Sequence, residues 1–285
     1  MSAPARPVSP LHARSLLFVP GDRPERYAKA VASGADAVII DLEDAVAVDA
    51  KGAARRAAHD YLGSGGQALL RINALDTTWA NDDLSLCAAP GVLGVVCPKT
   101  EHPADLARIA AHLRPSAALF PLIETAKGLR DLHAIAAADR VGRLLFGSVD
   151  LSLDLNLDPS EGEPELSSYR ALLVLASRAA GLTPPVDGVT RDLQNEVALA
   201  GATRAASRAG FGAKLCLHPS QIATVHRAFA PSANELAWAR RVLDAARDQA
   251  GAFRFEGRMV DAPVLARARR LDAALAGMSP VAGAS

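Results

Sequence analysis

The chain lacks most marks of a secreted, membrane-bound or nucleic-acid-binding protein. Its three cysteines, Cys87, Cys97 and Cys216, are far apart and follow no metal-ligand spacing. An odd, sparse set of thiols fits a reducing, cytoplasmic setting rather than a disulfide framework. Aromatic residues make up 4% of the chain, too few for a surface that stacks bases or sugars. Lys plus Arg and Asp plus Glu balance at 31 each, so no net field draws the chain to nucleic acid or an anionic membrane. Local Arg pairs such as Arg55-Arg56 and Arg240-Arg241 fall on helical patterns and read as solvated faces. No apolar run is long enough to span a bilayer, and Met1 to Pro10 has no apolar core that would make it a signal peptide or anchor. No GxGxxG or Walker-type loop follows any strand pattern, which argues against a dinucleotide or P-loop fold.

What is present is half apolar, largely Ala, Leu and Val, and it alternates. Short buried-strand patterns at Arg14 to Pro20, Ala37 to Ile40, Ala68 to Ile72, Val92 to Cys97, Leu119 to Ile123, Val141 to Phe146, Pro185-Val186 and Lys214 to Leu217 are separated by helical stretches. Asp22 with Glu25 resembles a capping box opening the first helix, and Pro103 opens another. A helix is expected over Thr125 to Ala138 and another over Asp192 to Ala209. Eight strand–helix units in about 220 residues suit a (β/α)₈ TIM barrel, which typically takes about 250. Residues 1–13 read as a disordered leader, 14–230 as the barrel and catalytic domain. Residues 231–285 read as a C-terminal helical extension, with Ser232 and Glu235 as a capping box and a turn at Gly257 to Pro263. That extension is expected to be unable to bury its apolar faces alone and to lie on the barrel or on a neighbouring subunit.

Active sites of such barrels sit at the C-terminal ends of the strands. Those ends carry Glu43 and Asp44, Arg71, Lys99, Glu124, Asp150, Asp187 and His218, more ionisable groups on one rim than a purely structural barrel requires. Glu124 and Asp150 close two strand patterns one helix apart, so both carboxylates emerge side by side. They can hold a hard cation such as Mg²⁺, which uses one or two acid side chains and leaves its other positions to water and substrate. The plainer reading makes both acids caps or ion-pair partners of the following helices. Arg71 lies within a strand pattern and needs an anion: a substrate carboxylate, or Glu43 or Asp44 next door. Lys99 reads equally as an anion contact or a partner of the acids. Asp187 is most simply a turn residue, and His218 reads as a satisfied core or turn histidine rather than a ligand. Schiff-base chemistry needs a desolvated lysine, and Lys214 begins its strand at the wrong end.

Seven motifs then occur in a single order: Arg-Ser-Leu-Leu-Phe-Val-Pro-Gly (14–21), Asp-Leu-Glu-Asp-Ala-Val (41–46), Leu-Arg-Ile-Asn (70–73), Pro-Leu-Ile-Glu-Thr (121–125), Phe-Gly-x-x-Asp-Leu (146–151), Lys-x-x-x-His-Pro-x-Gln-Ile (214–222) and Gly-Arg-Met-Val-Asp-Ala-Pro (257–263). From Arg14 to about Arg269 the chain resembles the HpcH/HpaI aldolase / citrate lyase β-subunit family, in its CitE-like and malyl-CoA-lyase-like branch. The resemblance implies a TIM barrel binding Mg²⁺, with Mn²⁺ as the alternative ion, through Glu124 and Asp150. It implies that Arg71 holds an α-keto acid, with Glu124 also at the substrate and Glu43 and Asp44 in support. Asp261 would protonate a thioester enolate from a neighbouring subunit. The extension would then be an inter-subunit lid on a homotrimer or hexamer. The implied reaction is reversible cleavage of a β-hydroxyacyl-CoA thioester into an α-keto acid and an acyl-CoA. The chain departs from the family pattern at Ser148-Val149, Asn156 and Ala213, which bears on the substrate and not on the metal pair.

Three other readings stay open. One is a metal-dependent aldolase on free hydroxy-keto acids, which generally lacks the acid matched by Asp261. Another is a citrate lyase β-subunit using an acyl-carrier thioester, which the long extension disfavours. The third is a barrel that binds thioesters without turnover.

Overall fold

Each apolar run that ends on a polar residue becomes a barrel strand. The computed structural model describes residues 8–247, 249 and 251–278, and in it eight parallel strands close on themselves. They are β1 (Ser15–Pro20), β2 (Ala37–Asp41), β3 (Ala68–Arg71), β4 (Val92–Cys97), β5 (Ala118–Ile123), β6 (Leu145–Phe146), β7 (Val186–Asp187) and β8 (Ala213–Cys216). β1 pairs with both β2 and β8, and helices follow the strands, so the chain folds as a (β/α)₈ TIM barrel. Strands buried on both faces carry no polar alternation, which is why these runs are uninterrupted. Leu16, Ile39, Leu69, Val96, Phe120, Leu122, Leu145, Val186 and Leu215 fill the interior. Their strand neighbours, among them Leu17, Ile40, Leu70, Val95, Leu119 and Cys216, pack outward with helix residues such as Ala54, Ala58, Leu106 and Ile109.

Local chemistry explains where the elements differ from expectation. The first helix starts as a 3₁₀ turn at Pro24–Arg26 and continues as Tyr27–Ala32, and no side chain caps either start. The helical stretch after Glu124 is split at Asp131 into Ala126–Arg130 and Leu132–Ala136. The helix expected from Asp192 begins at Glu196, where Asn195 accepts from the Ala198 N–H. The strand expected from Val141 is only Leu145–Phe146, with Val141 making a single bridge to Leu119. Between them Arg143 turns into the bottom of the barrel and is 2% exposed. Its Nε donates to Pro184 O at 2.6 Å and its Nη1 to Ala13 O at 2.7 Å. Among the described residues no carboxylate pairs with it, and burial lowers the pKa of this guanidinium. The expected disordered leader falls partly outside the described residues, at 1–7. Residues 8–13 are ordered, and Ala13 is fully buried.

The described residues divide into two compact units, the first ending at Phe229 and the second starting at Ala230. In the second, Ser232 and Glu235 form the expected capping box for helix Ala233–Ala245. A hairpin follows, β9 (Phe253–Phe255) with β10 (Arg258–Val260). It turns at Glu256 and Gly257, whose φ of 46° and 78° suit a tight two-residue turn. Helix Ala262–Met278 completes the unit. Contrary to expectation, the unit has a small core of its own, Ala239, Val242, Val260 and Ala268. The hairpin supplies the extra layer that two helices alone lack.

Candidate active site

The rim of the barrel is built around one ion pair. Asp41 ends β2 and Arg71 ends β3, directly opposite in register, and both continue the inward-facing rows of Ile39 and Leu69. Arg71 grips Asp41 with two parallel hydrogen bonds, Nε to Oδ1 at 2.7 Å and Nη2 to Oδ2 at 2.5 Å. The Phe18 ring lies 4.8 Å from the guanidinium carbon. Burial works against the charge of Arg71, but Asp41, Glu43 and Asp44 outweigh it and raise its pKa. Of the five N–H donors of a guanidinium, two go to Asp41, leaving three on the side away from it.

Glu43 stands beside those donors. Its Oε2 lies 2.9 Å from Arg71 Nη1 and its Oε1 lies 3.7 Å from Lys99 Nζ. The approach to Arg71 is close but out of line, so both buried oxygens of Glu43 lack a hydrogen bond among the described residues. Burial pushes the Glu43 carboxyl up to about 7, with Arg71 opposing and Asp44 and Asp41 adding to the rise. Asp44 is more exposed, with Oδ2 3.8 Å from Arg71 Nη1.

Glu124 follows β5 and is 2% exposed. Its Oε1 accepts the Lys99 N–H at 2.7 Å. Lys99 has a φ of 45°, a left-handed backbone held where it serves to aim that N–H. Gly147 closes the other side: a β-carbon there would lie 2.5 Å from both Cβ and Oε2 of Glu124. Burial pushes the Glu124 carboxyl up to about 8, and the charges of Glu43 and Asp150 add to the rise. Asp150 does not end a strand. It sits in the first turn of helix Ser148–Asp154. Neither acid caps a helix: the Thr125 hydroxyl caps the helix after Glu124, and Gly147 occupies the N-cap before Asp150. The side chain of Lys99 is half-exposed and faces the same acids, which outweigh its partial burial and raise its pKa.

Asp41, Glu43, Asp44, Glu124 and Asp150 thus outnumber Arg71 and Lys99, and the two most buried glutamates resist ionising. That excess, with the orphaned oxygens of Glu43, fits a divalent cation. Among the described residues no group of three or more His, Cys, Asp or Glu side chains is placed to enclose a metal. The site therefore suits an ion such as Mg²⁺ that keeps waters and takes substrate oxygens, rather than a closed protein cage.

Sequence reasoning missed Asp41 as the partner of Arg71, and it missed a buried network of Lys51, Asn73 and Asp83 behind the turn that carries Glu43. Two of the strand ends expected at the rim, Asp187 and His218, do not join the cluster. Asp187 follows Val186, an interior residue, so it points outward between barrel and helices. There it accepts from Arg170 Nε at 2.8 Å and Lys214 Nζ at 2.9 Å. His218 is exposed and caps a 3₁₀ turn through its own ring and Ser220. Asp261 belongs to the second unit, where it opens helix Ala262–Met278 and accepts the Val264 N–H at 3.3 Å.

A barrel whose rim gathers an arginine and excess carboxylates at the ends of β2, β3 and β5 is a frame for polarising carbonyls and stabilising negative charge. Residues 14–219 match the HpcH/HpaI aldolase/citrate lyase family. A citrate lyase subunit beta-like protein of Mycobacterium tuberculosis is 40% identical over 260 residues, 90% of this chain and 93% of that protein. A (3S)-malyl-CoA thioesterase of Cereibacter sphaeroides is 33% identical, covering 87% of this chain and 89% of its own length. The crystal structure of CitE from Mycobacterium tuberculosis in complex with magnesium, acetoacetate and coenzyme A superimposes with a TM-score of 0.84. It is 38% identical and covers 93% of this chain and 99% of that one. The chain belongs to the HpcH/HpaI aldolase/citrate lyase family and is a CitE-like carbon–carbon lyase.

Proposed function

We propose that the protein reversibly cleaves a β-hydroxyacyl-CoA thioester of the malyl-, citramalyl- or citryl-CoA type into an α-keto acid and an acyl-CoA, with Mg²⁺ as cofactor. The observation that carries this reading is Arg71, locked on one side by Asp41 and faced on the other only by the out-of-line Glu43, so that its remaining donors can meet a planar carboxylate beside a surplus of acids. Glu124 and Asp150 would hold the cation, which polarises the oxygen at the reacting carbon when bound. The remaining donors of Arg71 would hold the carboxylate of the keto acid and fix its carbonyl in one orientation. Glu43 and Asp44 would keep Arg71 from swinging and accept hydrogen bonds from water at the site. Cleavage breaks the carbon–carbon bond as the hydroxyl gives up its proton to water at the site: the hydroxyl carbon becomes the carbonyl of the keto acid, and the bonding pair stays on the acyl-thioester as an enolate, which must gain a proton at carbon. Asp261 is the proposed donor, supplied by the C-terminal extension of a neighbouring subunit. The extension would then act as an inter-subunit lid, and the proposed working assembly is a homotrimer or hexamer. Two relatives support the thioester class, one a complex with coenzyme A and the other a malyl-CoA thioesterase.

The test is a Mg²⁺-dependent cleavage assay on malyl-, citramalyl-, methylmalyl- and citryl-CoA, following free keto acid and free CoA separately. Keto acid release that EDTA abolishes supports the lyase and identifies its acid. Free CoA appearing with it adds a thioesterase step. Silence with every thioester, alongside cleavage of a free hydroxy-keto acid, would replace the proposal with an aldolase; silence throughout would leave a binding protein.

A further inference from the structure

Lys51 opens helix Lys51–Gly63, and by sequence it is one more lysine at a helix start. Its side chain instead runs inward, and the residue is 7% exposed. Nζ donates to Leu42 O at 2.7 Å, to Glu43 O at 2.6 Å and to Asn73 Oδ1 at 2.7 Å. Those are all the donors an ammonium has, and the Trp79 ring lies 5.3 Å from the charge. Nothing on Lys51 is left for a substrate.

Two of its acceptors are consecutive carbonyls of the turn that bears Glu43 and Asp44. The N–H groups of the same turn go to Asp41, from Glu43 at 2.9 Å and Ala45 at 3.3 Å. The turn is therefore clamped from both sides, its N–H groups by a carboxylate and its carbonyls by an ammonium. The third acceptor, Asn73, lies two residues beyond Arg71. It donates from Nδ2 and N to Asp83 Oδ2 at 2.6 and 2.8 Å, and Arg55 Nε holds the other oxygen of Asp83 at 2.8 Å. One side chain thus couples the turn after β2, which presents Glu43, to the loop after β3, which follows Arg71.

We infer that Lys51 is a positioning residue: it sets the Glu43–Arg71 pair through the backbone of the Leu42–Ala45 turn, without touching substrate. This rests on the reading of Arg71 and Glu43 given above, so one readout is independent of catalysis. The full chain is prepared as Lys51→Met, with Asp83→Asn as a control that loosens the same network but leaves both carbonyl contacts in place. Amide hydrogen exchange at Glu43 and Ala45 is expected to quicken ~10-fold or more in Lys51→Met, relative to the amides of β5, and to stay near wild type in Asp83→Asn. In the cleavage assay, Lys51→Met is expected to lower kcat ~10–100-fold with KM for the thioester little changed, since small misplacements of binding groups cost rate. Asp83→Asn should keep kcat per folded molecule. If Lys51→Met does not fold, Lys51→Gln serves, its amide one atom short of the same acceptors. Unchanged exchange at Glu43 and Ala45, or equal kcat losses in the variant and its control, would overturn the inference. A wild-type protein inactive on every thioester would instead count against the lyase reading, and the exchange result would still decide whether Lys51 holds the turn.

Discussion

Two of the buried charge clusters on this barrel differ in how they are completed. Between the end of β7 and the start of β8, each oxygen of Asp187 has a cation, Arg170 or Lys214, and Lys214 also donates to Gly188 O at 2.8 Å. Arg170 reaches on to Glu163 and lies over Phe146. Burial opposes the charge on Asp187, but Lys214 and Arg170 overcome it and hold the carboxyl below its usual range. At the ends of β2, β3 and β5 the same residue types leave Glu43 without an aligned partner, and burial pushes Glu43 and Glu124 up to about 7 and about 8. A closed cluster is a fastening. An open one, with acids in surplus and arginine donors to spare, is built to be completed by something else.

Several substitutions would break or sharpen that contrast. The largest effect is expected from Arg71→Lys, which removes the fork that grips Asp41 and, in the proposed function, the substrate carboxylate as well. kcat/KM in the cleavage assay should fall ~10²–10³-fold, the scale of losing one preorganised donor to developing charge; a fall of less than threefold would remove Arg71 from the chemistry. Lys214→Met acts on the closed cluster and leaves Asp187 buried with half its compensation. Denaturant titration should show a loss of about 3 kcal/mol, with kcat per folded molecule unchanged, whereas a kcat loss without destabilisation would put Lys214 in the active site. Gly147→Ala should push Glu124 aside and weaken Mg²⁺ binding by ~10-fold, read by calorimetry, a typical cost of disturbing the support of a ligand. Equal Mg²⁺ affinity would show that Glu124 is not a ligand.

The smallest effect concerns pH. The carboxyl of Glu124 is raised from its ordinary 4.5 to about 8, so between those values the folded chain binds more protons than the unfolded one. Its contribution to stability is full below about 4.5 and is lost as pH rises through about 8. Without metal, Tm should decline across that window. Because Mg²⁺ must displace the proton, the Tm gain on adding it should be larger at about pH 8.5 than at about pH 6. A Mg²⁺ shift that does not vary with pH would place the ion away from Glu124.

The barrel was legible because a strand buried on both faces reads as an apolar run with a polar stop, and the chain repeats that pattern eight times. Glu43, Arg71 and Glu124 stand at such stops, and the structure gathers them on one rim. Asp150 was misplaced because Leu144, Leu145 and Phe146 run into Gly147 without a clear break, and the Ser-Val-Asp that follows has little helical character. The direction of Asp187 was available from parity, since Val186 is the kind of residue that fills a barrel, but a two-residue strand gives that argument little to stand on. Lys51 left no trace in the sequence. A lysine at a helix start is nearly always solvated, and only three-dimensional proximity shows the two carbonyls it holds.

Arg143 has a consequence for where the chain can be cut. Its guanidinium is buried against carbonyls of Ala13 and Pro184, one near the beginning of the barrel and one close to its seventh strand. A chain cut before Pro184 keeps the first acceptor and lacks the second, so the same guanidinium would stand at the floor one partner short, with the cost of a buried charge and less to offset it.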